Sequence, residues 1–333
     1  MNNKYSIILP VYNGGGYLKE CVKSILSQTL RDFRLQILDN CSTDGTSEWI
    51  KSLSDERIEY YRSEQPLTIE ENWNRIVSIP KNEFITLIGH DDLLHPHYLN
   101  TMQDLIGQHP HASLYQAHFL FIDPAGNTIR SCLPMAEVQT ADEFLACQFT
   151  KTLDSTGTGY MMRSKDFDAA GGMGLAYPKL IFADYALWVK LTSLSYKATS
   201  ATTAFSYRLH NSVSKLTNGE EYQQAFEQYV YFLAGLRKEN EKIAVVLDTY
   251  GKQMLLYFCE SLSHRLLKTP LTQRTTTVAA YVDKCRGFAK LLIPGQSFRP
   301  LAKPRILLAV LLDNKPGISI FNLVKKIPGI SAL

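Results

Sequence analysis

Cysteine pairs at metal or redox spacing are absent from this chain of 333 residues. Its six cysteines (Cys21, Cys41, Cys132, Cys147, Cys259 and Cys285) are scattered, so neither a zinc site nor a disulfide framework is expected. Several lie in apolar periodic stretches and read as small core residues. An excess of one charge is missing too. The chain has 35 Lys and Arg against 32 Asp and Glu, and a net charge of +3 gives no argument for a nucleic-acid partner. No apolar run reaches the ~18 residues of a bilayer-spanning helix. Glycine clusters once, at Gly14, Gly15 and Gly16, in neither the G-x-G-x-x-G nor the G-x-x-x-x-G-K-[ST] arrangement. That argues against a dinucleotide or Walker-type site and leaves these glycines to turn the chain from strand to helix. The chain enters an apolar strand directly after Lys4, so no signal peptide is expected and the inferred compartment is reducing and cytoplasmic.

What is present is an ordinary globular composition, 45% hydrophobic and 20% charged, long enough for one large domain or two modest ones. Apolar β-like runs at 5–9, 35–38, 58–61 and 84–88 alternate with helical patterns. The first of these puts Leu18, Cys21, Val22, Ile25 and Leu26 on one face. Further strands are expected at 114–123, 128–132, 159–163 and 196–207, and a capping box opens a helix at Thr140-Ala141-Asp142-Glu143. Strand and helix in alternation predict an α/β fold with a mainly parallel sheet covered on both faces.

The strand at 84–88 ends at Gly89, and His90-Asp91-Asp92 follows. Two adjacent carboxylates repel unless a cation or donors offset them. The carboxyl end of a strand is where open α/β sheets bind ligands. One reading is a divalent metal that in turn holds a diphosphate. The other is a turn and helix cap, with Pro96 in the first turn of a helix at 96–108. Tyr12, Asp39, Asp184 and His210 carry the same ambiguity singly: each has a structural role as well as a binding one. Trp73 and Trp188 read as packing residues.

From about residue 218 the pattern becomes helical and rich in Tyr, Phe and Leu. It is followed by a basic tail that includes Arg299, Lys303, Arg305, Lys325 and Lys326 among apolar residues. Such a tail suits an anionic membrane surface. A helical subdomain or an oligomer contact is the alternative, favoured because Pro294, Pro300, Pro304 and Pro316 interrupt any long amphipathic helix. Two domains are expected, 1–217 and 218–333.

Taken in order, Pro10-Val11-Tyr12-Asn13, Asp39 to Thr46, Asn72-Trp73-Asn74, His90-Asp91-Asp92 with Pro96, Ala183-Asp184 and Arg208 to Ser214 resemble the family-two glycosyltransferases. The similarity covers about residues 5–214. It implies a GT-A fold, a nucleotide-sugar donor (UDP foremost), inversion at the anomeric carbon, and an acceptor hydroxyl on a glycan or lipid-linked molecule of cell-surface polysaccharide synthesis. It also implies a divalent cofactor, Mn²⁺ or Mg²⁺. By position, Pro10, Val11, Tyr12, Asn13, Asp39, Asn72, Asn74 and Asp91 would bind the nucleotide, with Tyr12 stacking on the base and Asp39 accepting a hydrogen bond from it. Asp91, Asp92 and His210 would hold the metal, and Asp184 would be the catalytic base. Three positions depart from the family pattern: Trp73 stands for an Arg, Gly89 for an Asp, and Ala183 for the first acid of a pair.

This chemistry suits the residues. Oxygen ligands hold a hard cation against the charge that builds on a leaving diphosphate. A carboxylate can take the proton of an attacking hydroxyl. Two rivals remain at this level. A sugar nucleotidyltransferase would want a basic glycine-rich loop, and residues 13–20 carry only Lys19. A non-catalytic nucleotide- or glycan-binding relative is kept open by Gly89 and Ala183.

Overall fold

The computed structural model describes residues 4–210 and 217–324. Asn211 to Ser214 of the sequence motif, and Lys325 and Lys326 of the basic tail, lie outside the described residues. The chain divides into two compact units, one formed by Met1–Leu175 with Ala183–Ser212 and the other by Ala176–Phe182 with Val213–Leu333.

The first unit is built on a ten-stranded sheet. In chain order the strands are β1 (Tyr5–Val11), β2 (Phe33–Asp39), β3 (Ile58–Arg62), β4 (Phe84–Leu87), β5 (Leu93–Leu94), β6 (Leu114–Ile122), β7 (Thr128–Ser131), β8 (Val138–Gln139), β9 (Tyr160–Arg163) and β10 (Lys197–Arg208). Their spatial order is β3-β2-β1-β4-β9-β6-β10-β5, with β7 beside β6 and β8 beside β10. β3, β2, β1 and β4 are parallel neighbours, as are β6 and β10. β9 runs antiparallel to both β4 and β6, so those two groups point the same way. The sheet is mainly parallel, in an α/β fold followed by a helical region.

All seven residues of β1 are buried, which requires cover on both faces of the sheet at that point. On one face Tyr5, Ile7, Leu9 and Val11 pack with Leu18, Cys21, Val22 and Ile25 of the helix Gly15–Leu26 and with Tyr98, Leu99 and Met102 of the helix Tyr98–Gln108. Each buried aliphatic side chain contributes roughly 1.5–3 kcal/mol. The expected capping box at Thr140 and Glu143 is present, and a second joins Thr68 to Glu71. Because β1, β2, β4 and β10 share a direction, their carboxyl ends at Val11, Asp39, Leu87 and Arg208 lie along one edge.

In the second unit the helices Gly219–Glu239, Glu241–Leu267 and Val278–Leu292 pack on one another. Phe182 joins this unit because its ring stacks on Tyr229 at 5.4 Å and meets Phe258 at 5.1 Å. No described helix is long and apolar enough to cross a membrane. All six cysteines are free; Cys21, Cys132, Cys259 and Cys285 are buried.

Candidate active site

At the end of β1, alternation divides the expected nucleotide residues into two sets. Val11 belongs to the core and Pro10 is also buried, so neither side chain faces a ligand, contrary to expectation. Both sit on a strand covered on its two faces. Tyr12 is 53% exposed, the most open aromatic of this edge. Asn13 takes a left-handed backbone (φ 49°), held by its N–H donating to Ser42 Oγ at 2.9 Å and its Oδ1 accepting from Thr43 N–H at 2.9 Å.

Asp39 is fully buried. One carboxylate oxygen accepts from Ser42 N–H at 3.0 Å; the other accepts from the Ser47 and Tyr60 hydroxyls and lies 3.7 Å from Arg62 Nε. Burial pushes its pKa up, but these donors more than offset that and hold it below the usual carboxylate range. A base cannot reach this carboxylate as it stands; Asp39 instead fixes the loop that carries Ser42, whose hydroxyl in turn accepts from Asn13 N–H. Asn72 is also buried, donating to Leu38 C=O at 3.4 Å and accepting from Arg75 at 2.9 Å. Arg75 reaches on to the Asp39 and Tyr61 carbonyls. Asn72 therefore ties a helix to the sheet, and Asn74, only partly buried, is the freer of the two amides.

The two acids after β4 have opposite surroundings. Asp92 is buried; its oxygens accept from Thr158 Oγ1 at 2.6 Å and Arg208 N–H at 2.9 Å. Burial, then the neighbouring Asp91 charge, push its pKa well up. It is an internal brace and has no open oxygen for a cation, which corrects the expectation that it ligates one. Asp91 stays 24% exposed and its carboxylate contacts His210 Nε2, equally exposed. A Cβ built on Gly89 would lie 2.5 Å from Asp91 Oδ1 and 3.3 Å from Asp92 Oδ2. The acids thus occupy the space that an Asp at position 89 would need. Among the described residues no group of three or more His, Cys, Asp or Glu is arranged to hold a metal ion.

Asp184 sits in the first turn of the helix Ala183–Thr192. Its carboxyl keeps some exposure yet is surrounded by protein, and that burial raises its pKa to about 6 against the Tyr185 N–H that lowers it. The helix is docked by Trp188, whose ring stacks on Tyr160 at 4.4 Å and whose Nε1–H donates to Thr156 C=O at 2.9 Å. Gly157 passes close to Asp184, since a Cβ there would be 3.6 Å from Oδ2. One loop, 156–158, therefore touches Trp188, Asp184 and Asp92 in succession. The Tyr207 phenol feels the charges of Asp92, Asp91 and Asp184 together. Acids separated by some ninety positions in the chain therefore lie around one loop and one phenol.

Sequence reasoning missed several members. Arg208, buried on β10, donates to Asp91 C=O at 2.8 Å and to Glu20 at 2.7 Å and lies over the Tyr17 ring. Thr158, Ser47 and Tyr60 brace Asp92 and Asp39. Lone hydroxyls carry no spacing signal, so only the fold reveals them; Arg208 opens a motif that the sequence did offer, but its contacts to Asp91 and Glu20 come from the fold.

Residues 6–170 match the family model described as Glycosyl transferase family 2. This stretch is a glycosyltransferase family 2 domain. The matched stretch ends before Asp184 and His210, which the fold alone brings to the site. The glycosyltransferase GlyG of Streptococcus pneumoniae serotype 4 is 31% identical over 104 residues, 31% of this chain and 35% of that protein. The chain therefore spans about a third of that relative. The chain also resembles Staphylococcus aureus TarS 1–349, solved with UDP-GlcNAc (TM-score 0.66, 12% identity, 96% and 92% of the two chains). A further neighbour is the Pyrobaculum calidifontis mannosyltransferase PcManGT with GDP-Man and Mn²⁺ (TM-score 0.51, 13% identity, 97% and 88% covered). At these identities the likeness is one of fold.

Proposed function

We propose that this chain is an inverting glycosyltransferase that moves a sugar from a nucleotide sugar, UDP-linked, to a hydroxyl of a glycan or lipid-linked acceptor in cell-surface polysaccharide synthesis. The observation that carries the reading is the convergence of the Asp91–His210 pair and Asp184 around Tyr207 and the loop 156–158. With a pKa of about 6, Asp184 is mostly ionised at neutral pH, yet basic enough to take the proton of an attacking hydroxyl. Tyr12 offers an exposed ring for the base, and Asn74, partly buried, offers an amide. Relatives of this fold bound to UDP-GlcNAc and to GDP-Man support a nucleotide-sugar donor.

Asp91 and His210 fit a divalent cation of the kind that takes only one or two protein ligands and completes its shell with phosphate oxygens. When bound, such an ion neutralises charge on the departing diphosphate. Arg208 fixes the backbone of Asp91, and Asp92 holds Thr158. The test is donor binding and donor hydrolysis by the full chain with Mn²⁺. Wild type should bind a UDP-sugar and hydrolyse it slowly, and Asp184→Asn should bind equally and lose turnover. Binding without turnover across donors and acceptors would favour a non-catalytic nucleotide-binding relative. Turnover undiminished in Asp184→Asn would remove the base.

A further inference from the structure

We propose that the second unit carries a docking surface for an anionic lipid bilayer, centred on the helix Pro304–Leu311. The inference is independent of the reading of the active site. Apart from Arg305 in its first turn, this helix is apolar. Ile306 and Ala309 are buried and face the unit's own interior, where the helix packs on Glu241–Leu267. The outer face is apolar as well: Leu307 is 42% exposed, Leu308 39% and Leu311 63%. A surface helix ordinarily turns charged residues outward, so an outer row of leucines calls for a partner.

The rim says which partner. Arg299, Lys303 and Lys315 flank the leucines and are exposed, and Arg305 is held by Glu260 at 2.9 Å. Between positions 290 and 315 the chain has a single acid, Asp313, and it is consumed in a buried pair with Arg274. Beside the helix start lies an open groove of about 500 Å³, where Lys252 and Lys303 stand with the half-exposed Tyr257; its one acid, Glu260, is the partner of Arg305. Leucines ringed by cations beside a groove with two lysines match the acyl boundary and phosphate headgroups of a bilayer. A second copy fits less well. Symmetric pairing through this face would set the same cations against each other. The helix is far too short to span, so it would lie in the interface plane.

The test is flotation of the full chain with phosphatidylcholine vesicles with and without phosphatidylglycerol, at low and high salt. Binding should require phosphatidylglycerol and weaken with salt. The double variant Leu308→Glu/Leu311→Glu should lose at least about tenfold in apparent affinity. These positions are exposed, and an unchanged thermal unfolding midpoint would establish that the fold survives. Should it not survive, Lys252→Gln/Lys303→Gln gives the second reading, an expected loss of several-fold with a shallower salt dependence. The proposal is overturned by absence of binding to phosphatidylglycerol vesicles, by equal binding to neutral ones, or by binding that the folded leucine variant leaves unchanged. Light scattering that finds a dimer, broken by the leucine variant, with no vesicle binding would assign the face to self-association and overturn it too.

Discussion

Replacing Asp184 with Asn separates activity from stability. A carboxyl whose pKa rises from 3.8 to about 6 on folding has its charged form disfavoured by about 3 kcal/mol. The sign follows from proton uptake. The native carboxyl binds its proton at a higher pH than the unfolded one, so this site costs stability in full above pH 6. The cost is relieved as pH falls from about 6 toward 3.8. Asn keeps the shape and the oxygen that accepts from the helix N-terminus, but carries no charge. Asp184→Asn should therefore stabilise the protein by up to about 3 kcal/mol at pH 7.5, shrinking to about 1 kcal/mol at pH 4.5, while donor turnover is lost. Urea denaturation of both proteins at the two pH values measures this. The turnover profile of wild type should fall on its acid limb near pH 6. A variant no more stable than wild type at pH 7.5, or a gain that does not change with pH, would refute the account of a buried, charge-penalised base.

Lys197 is buried with its Nζ donating to Gln139 at 3.1 Å and Thr199 at 2.6 Å, and burial lowers its pKa to about 7. The unfolded chain therefore holds one more proton between pH 7 and 10.5, and wild type should gain up to about 1.4 kcal/mol per pH unit between 7.5 and 9.5, a slope missing in Lys197→Met by urea denaturation. Asp39→Ala strands the Ser47, Tyr60 and Arg62 donors and should cost about 3–5 kcal/mol in the same assay. Gly89→Ala drives a methyl toward Asp91 Oδ1; steady-state turnover should fall at least about tenfold, with donor affinity reduced and global stability nearly unchanged.

The alternation of strand and helix was plain in the sequence because periods of 2 and 3.6 are local properties. Leu18, Cys21, Val22 and Ile25 were legible as one buried face for that reason, and Thr140 with Glu143 as a cap. Asp91, Asp184 and Tyr12 were ambiguous singly, each at a strand end or helix start that a structural residue could equally fill, and only their order along the chain, through the family resemblance, gave them roles. The sequence could not tell Asp91 from Asp92. They differ by one position, but that step turns one side chain toward Thr158 and the Arg208 backbone and the other toward His210 and solvent. Nor could it tell that Val11 is core while Tyr12 is surface, or that Asp39 is enclosed by Ser47 and Tyr60.

The amino-acid order by itself determined the elements, their polarity and the set of polar residues that end the parallel strands, since these depend on neighbours a few positions away. Tertiary structure alone decided which of those residues keep an open oxygen or a free ring. That depends on donors from distant segments, Thr158 and Arg208 for Asp92, Gly157 and Tyr207 around Asp184. Burial and pKa are properties of the assembled surroundings, and no local spacing encodes them.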